Sequence, residues 1–266
     1  MSNDAVLYEV RGRTALITLN RPERLNAWNG DLAKGYFDSL DRAAADPEVR
    51  AIVVTGAGRG FCSGADMDVL QGIGSGSSGG DDDGEPDTRD ATHAMSIPKP
   101  VIAAVNGAAA GLGFVHAIAC DVRFAAAGAK FTVAFSRRGL IAEHGLSWTL
   151  PRLVGQSVAI DLIMSGRVIL AEEAKELGVV NHVVEPDKLL DEALAYAEDL
   201  ATNVSPTSMA IMKHQVLHHP MMPLSEAMAE SNQLMRESLR RGDFKEGVAS
   251  FVEKRTPNFA PYAAEG

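Results

Sequence analysis

Residues 99–113 read Lys99-Pro-Val-Ile-Ala-Ala-Val-Asn-Gly-Ala-Ala-Ala-Gly-Leu-Gly113, and their order decides the fold class. Val101–Val105 is a short, wholly apolar run behind Pro100, as expected for a strand buried on both faces in a sheet covered by helices. Glycines follow at 107, 111 and 113, and the text from Gly111 onward reads as a helix. The same order occurs upstream: Ala51–Thr55 is a second apolar strand, followed by Gly60-Phe-Cys-Ser-Gly-Ala-Asp66 and helical text from Gly64.

Moving outward, Val6–Val10 and Thr14–Leu19 flank Arg11-Gly12-Arg13 and predict a hairpin. Asp31–Ala45 places Leu32, Tyr36, Phe37 and Leu40 at helical spacing and stops before Asp46-Pro47. From Ser157 the text is mostly helical. Ala171–Leu177 ends at Gly178, and Ser205-Pro206 reads as an N-cap followed by proline at the first helical position. The expectation is an α/β core over 1–204 with a helical region over 205–266. No internal sequence repeat is visible. Residues 71–90 interrupt the regular text with six glycines, three serines, six acids and one arginine, and predict a long mobile loop.

Of the 266 residues, 46% are hydrophobic and 23% charged, enough apolar text for a core without disulfides. Thirty-five acidic against 25 basic side chains give a formal charge of −10, which argues against a nucleic-acid partner. Two cysteines make no disulfide framework, no apolar run approaches the ~20 residues of a membrane span, and the first residues lack a basic-then-apolar signal. A cytoplasmic protein without a membrane partner is expected.

The two glycine turns match no nucleotide fingerprint. Turns at helix starts expose unpaired N–H groups, and two of them aimed at one point would stabilise an oxyanion; glycine turns also serve as plain connections. Read in order, Arg21-Pro-Glu-Arg-Leu-Asn-Ala27, Phe61-Cys-Ser-Gly-Ala-Asp66, Lys99–Gly107, Cys120-Asp121, Leu150-Pro-Arg-Leu-Val-Gly155 and Phe251-Val-Glu-Lys-Arg255 resemble the enoyl-CoA hydratase/isomerase family, the crotonase superfamily. The resemblance implies a spiral of ββα units with C-terminal helices that assemble a homotrimer or hexamer. It implies an acyl-CoA thioester as substrate, with no separate cofactor and no metal.

By the same resemblance, the oxyanion donors are the backbone N–H groups of Ala65 and Leu112, the latter at a position usually held by glycine. Coenzyme A would lie over Ser63, Asp66 and Met67, with Phe251 and Lys254 reaching its nucleotide part across a subunit boundary. The family's two hydratase glutamates map to Val115 and Phe135, which would line the acyl pocket and can neither bind nor deprotonate water. A carboxylate appears instead at Glu143, where some relatives carry a catalytic aspartate. Set between Leu140-Ile-Ala142 and Gly145-Leu146, it would be partly desolvated and suited to moving protons; otherwise it is a surface group or pairs with Arg137, Arg138 or Arg152. His144 could assist it. The implied activity is double-bond isomerisation through Glu143, against hydration by Glu143 alone or a non-catalytic acyl-CoA-binding role.

Overall fold

The computed structural model describes residues 5–68, 71 and 89–262; the loop expected over 71–90 lies almost wholly outside the described residues. The predicted hairpin is present. Strands β1 (Val6–Arg11) and β2 (Thr14–Leu19) are antiparallel, with Arg11 opposite Thr14 across Gly12 and Arg13. The expected apolar strands are β3 (Ala51–Gly56) and β5 (Val101–Val105), every residue of which is buried. Helix α1 (Gly30–Ala45) lies between β2 and β3 in the chain. It is capped by Asn29, whose side chain accepts the Leu32 N–H at 3.0 Å, and it buries Leu32, Tyr36, Phe37 and Leu40.

Four short strands interleave with these: β4 (Gly60–Cys62), β6 (Ala108–Ala110), β8 (Lys130–Thr132) and β9 (Ile169–Leu170). With β7 (Val122–Ala126) and β10 (His182–Val184), they complete two sheets ordered β1-β2-β3-β5-β7-β10 and β4-β6-β8-β9. The chain alternates between them: β3 joins the first and β4 the second, then β5 and β6, then, after helix α2 (Leu112–Ala119), β7 and β8. Each turn of this spiral deposits one strand per sheet, parallel to the previous turn's strand. The repeat is thus in the winding and not in the sequence.

The sequence reading placed glycine turns where β4 and β6 stand, and mostly helix where β9 and β10 stand. Runs of two or three residues carry no period, and Gly and Ala are depleted in strands, so Gly60 and Ala108–Ala110 give no strand signal of their own. They are strands because the preceding turn offers them a ladder.

Downstream, α3 (Leu146–Val154), α4 (Gln156–Ser165) and α5 (Ala171–Glu176) lead to α6 (Leu189–Asn203). Helix α6 lies against β3 and β5 through Ala193, Ala197 and Ala201, all fully buried, whose small side chains permit close approach. The predicted cap at Ser205 is formed: its hydroxyl accepts the Ser208 N–H at 3.1 Å and starts α7 (Pro206–His218). Helices α8 (Leu224–Ser238) and α9 (Gly242–Glu253) follow. Helix α7 is fastened to the core by Lys213, whose ammonium donates to Asp121 at 2.7 Å and to the Ala94 and Lys99 carbonyls. Asp121 in turn accepts the Val101 N–H at 2.8 Å. Among the described residues, no helix is long and apolar enough to cross a membrane.

Candidate active site

The winding brings the two glycine turns side by side. A Cβ placed on Gly64 would stand 3.7 Å from the Gly111 Cα, and one on Gly111 would stand 3.8 Å from the Gly64 Cα. Both residues have positive φ, +97° and +52°, which glycine adopts without steric cost. Residue 65 follows the first turn and pairs with Trp28: the Trp28 N–H donates to the Gly64 carbonyl at 2.7 Å, and the Asp66 N–H to the Trp28 carbonyl at 2.9 Å. In a parallel ladder this bonding faces the N–H of Ala65 away from Trp28. Leu112 is the first residue of α2, where N–H groups have no intrahelical partner. Among the described residues, neither the Ala65 nor the Leu112 N–H has a hydrogen-bond acceptor.

A polar clamp absent from the sequence reading fixes the first turn. The Arg21 guanidinium donates to Asp66 at 2.8 Å and to the Ala27 carbonyl at 2.5 Å. The fully buried Asn26 accepts the Arg21 N–H at 2.8 Å and donates to the Ala57 and Gly60 carbonyls. Burial pushes the Asp66 carboxyl up, but the Arg21 hydrogen bond, the Asp68 N–H and the charges of Arg21 and Arg24 outweigh it and hold the group below its ordinary value. A depressed acid stabilises the fold above its unfolded pKa of about 3.9 and loses that contribution as pH falls through its folded value. The stability gap between the wild type and Asp66→Asn, measured by urea unfolding, is therefore expected to be constant above about pH 5 and to close below about pH 4.

The second turn is walled by Phe135, whose ring edge lies 3.7 Å from a Cβ placed on Gly111. The same ring neighbours His144, with centroids 6.3 Å apart. His144 Nε2 lies 3.8 Å from Glu143 Oε2, and the two side chains are 40% and 34% exposed. Phe135 thus neighbours both the Gly111 turn and His144, and His144 neighbours Glu143. Glu143 is partly buried, and of the apolar residues expected around it Leu146 is buried while Leu140 and Ile141 are exposed. The arginines weighed as its partners are directed to backbone carbonyls: Arg137 to Ser165, Arg138 to Ala134, and Arg152 to Trp148, whose indole it also covers at 3.9 Å. Val115 is buried on α2.

Behind Val115, His116 stacks on Trp28 with centroids 3.9 Å apart and meets the edge of Tyr36 at 5.2 Å. Burial, reinforced by His144, pushes the His116 imidazole down to about 3, the Ala91 backbone opposing only in part, so it stays neutral. Cys62 and Cys120 are buried thiols pushed up to about 12 by burial, and they pack rather than react. Among the described residues, no group of three or more His, Cys, Asp or Glu side chains is placed to hold a metal ion.

Of the residues expected at coenzyme A, Ser63 donates its N–H to the Leu25 carbonyl at 3.0 Å, and Met67 is exposed beside it. The Asp66 carboxylate is committed to Arg21. Phe251, 85% exposed, and Lys254, a left-handed residue with φ +54°, stand at the end of α9. Among the described residues, neither makes a side-chain hydrogen bond, ion pair or ring contact with the glycine turns. The chain brings Ser63, Ala65, Asp66, Leu112 and Phe135 to one place, with Glu143 and His144 adjoining.

Residues 9–261 match the family described as enoyl-CoA hydratase/isomerase. The chain is 36% identical to the 1,2-epoxyphenylacetyl-CoA isomerase of Escherichia coli (strain K12), over 96% of this chain and 97% of that protein. It is 38% identical to a putative enoyl-CoA hydratase of Thermus thermophilus, over 94% and 98%. The solved structure of a probable enoyl-CoA hydratase/isomerase from Mycobacterium abscessus superposes with a TM-score of 0.87 at 33% identity, covering 97% and 99% of the two chains.

Proposed function

The chain belongs to the enoyl-CoA hydratase/isomerase family, and from that premise we propose that it shifts a double bond in an acyl-CoA thioester by proton transfer through Glu143. The observation that carries this reading is the run of contacts from Gly111 through Phe135 to the Glu143–His144 pair. It supports a route from the Glu143 carboxylate, by way of His144 and Phe135, toward the turn that carries the Leu112 N–H. Val115 and Phe135 offer no acid at the positions where the two-glutamate route would need them.

In this mechanism the thioester oxygen accepts the N–H groups of Ala65 and Leu112. Glu143 takes a proton from the carbon beside the thioester, the electrons move onto that oxygen, and the enolate forms between preorganised donors. Each donor contributes about 3 kcal/mol at comparable sites. Protonation at the far carbon then moves the double bond. Coenzyme A lies over Ser63, Asp66 and Met67. Phe251 and Lys254 of a second copy reach its nucleotide end, which assigns residues 1–204 to the acyl site and 205–266 to assembly of a homotrimer or hexamer.

The hydratase name of the Thermus relative favours a second reading, in which Glu143 alone activates water. One experiment separates the two: incubation of wild type and Glu143→Gln with 2-enoyl- and 3-enoyl-CoA in heavy water, following deuterium uptake and products. Removal of a general base costs about 10²–10⁴-fold, so Glu143→Gln is expected to lose exchange and isomerisation by that factor. Equal exchange in both proteins overturns the reading, and hydration untouched by the substitution sinks the single-glutamate hydratase.

A further inference from the structure

We propose that His144 is a second proton-transfer group, which returns a proton to the substrate at the carbon that Glu143 does not deprotonate. The inference rests on the isomerase reading above and assigns the half of the reaction which that reading leaves without a donor.

Three observations support it. First, the backbone is held in an unusual state. His144 has φ +55° and Gly145 φ +73°, and the turn is closed by the Leu146 N–H donating to the Glu143 carbonyl at 3.0 Å. Two consecutive left-handed residues make a turn that Asn-Gly or Gly-Gly form with less strain. A histidine there is sterically dearer, and strain of this kind collects at functional sites. Second, this turn sets the imidazole near the neighbouring carboxylate: Nε2 to Oε2 is 3.8 Å, close enough for an ion pair and too long for a settled hydrogen bond. Both groups stay partly open to a ligand. Third, the His144 ring has its centroid 6.3 Å from that of Phe135, which walls the Gly111 turn, and the buried His116, which feels the His144 charge, is itself neutral.

The step balances with groups already present. The cycle starts from the pair in its productive form, Glu143 as carboxylate and His144 as imidazolium. Glu143 takes the proton from C2 of a 3-enoyl thioester; the C2–H bond breaks and a carboxyl O–H forms. The electron pair passes to the thioester oxygen held by Ala65 and Leu112. The His144 N–H bond then breaks and a C4–H bond forms, while the enolate electrons close the C2–C3 double bond and restore the carbonyl. Passage of the proton from Glu143 to His144 resets the pair.

The test uses His144→Asn, since asparagine accepts the left-handed backbone, and His144→Gly as a second variant free of backbone strain. With 3-enoyl-CoA in heavy water, both are expected to keep C2 deuterium exchange within about threefold of wild type and to lose product formation by about 100-fold. Added imidazole should restore part of the product rate in His144→Gly. Product formed at the wild-type rate overturns the proposal. So does loss of exchange and product to the same extent, which would mark His144 as a residue that only positions Glu143. Exchange retained in Glu143→Gln is a different failure, because it removes the carboxylate reading itself.

Discussion

Gly113→Ala is expected to destabilise the protein by about 3 kcal/mol, the upper end of ordinary overpacking costs, and to reduce turnover by at least about 100-fold. A Cβ on Gly113 would fall within 3.0 Å of the Cys62 carbonyl oxygen, carbonyl carbon and Cβ. Cys62 is the last residue of β4 and fully buried, and β4 is laddered to β6, so the obstacle cannot swing aside. The start of α2 must move instead, and it carries the Leu112 N–H. The substitution therefore acts twice: the core gains strain, and the N–H proposed as one oxyanion donor leaves its position. Gly242→Ala is the matched control, because nothing lies within 4 Å of its Cβ. Urea midpoints and kcat measured on both variants check this, and a Gly113→Ala protein equal to its control in both would refute the close packing of α2 on β4.

The second large effect is expected at Lys213. Lys213→Met leaves Asp121 without the ammonium that pairs with it, and the Ala94 and Lys99 carbonyls without the N–H donor they accept from. Breaking a mostly buried pair from one side costs about 3–5 kcal/mol, since the remaining charge stays desolvated. That is a large share of a total stability of about 5–15 kcal/mol. The double substitution Lys213→Met with Asp121→Asn should recover much of the loss, because the amide keeps an oxygen for the Val101 N–H and removes the stranded charge. Chemical denaturation of the three proteins measures this, and a double variant no more stable than Lys213→Met alone would show that the charge was not the source of the cost.

These two sites differ in how far the sequence announced them. Strands β3 and β5 were legible because five or six consecutive buried residues leave an apolar run that survives any context. Helix α1 was legible through the spacing of Leu32, Tyr36, Phe37 and Leu40. The second sheet was not, since Gly60–Cys62 and Ala108–Ala110 become strands only against their neighbours in the winding. The glycine turns, and the carboxylate at Glu143 proposed as the base, could be located by residue type. Their supports could not. Arg21 with Asp66, Trp28 with His116 and Lys213 with Asp121 pair residues far apart in the chain, and no local pattern links them. Sequence neighbours could not fix the surroundings of Glu143: its side chain is 34% exposed, and the adjoining Leu140 and Ile141 are themselves exposed.

The winding also determines how this chain can meet others. A spiral of parallel strands left open would present unpaired N–H and C=O groups at each end, a template for aggregation. Here the ends are blunted. β1 reverses direction and carries the Glu9–Arg11 ion pair on an exposed strand, and β9 also runs antiparallel and is two residues long. β10 has three residues and ends the first sheet with His182 stacked on Phe124. Such edges recruit strands poorly. The exposed apolar side chains Met212, Val216, Leu224, Met228 and Phe251 lie instead on the C-terminal helices, so the assembly proposed for them could be altered without touching the ladder that aligns the two glycine turns.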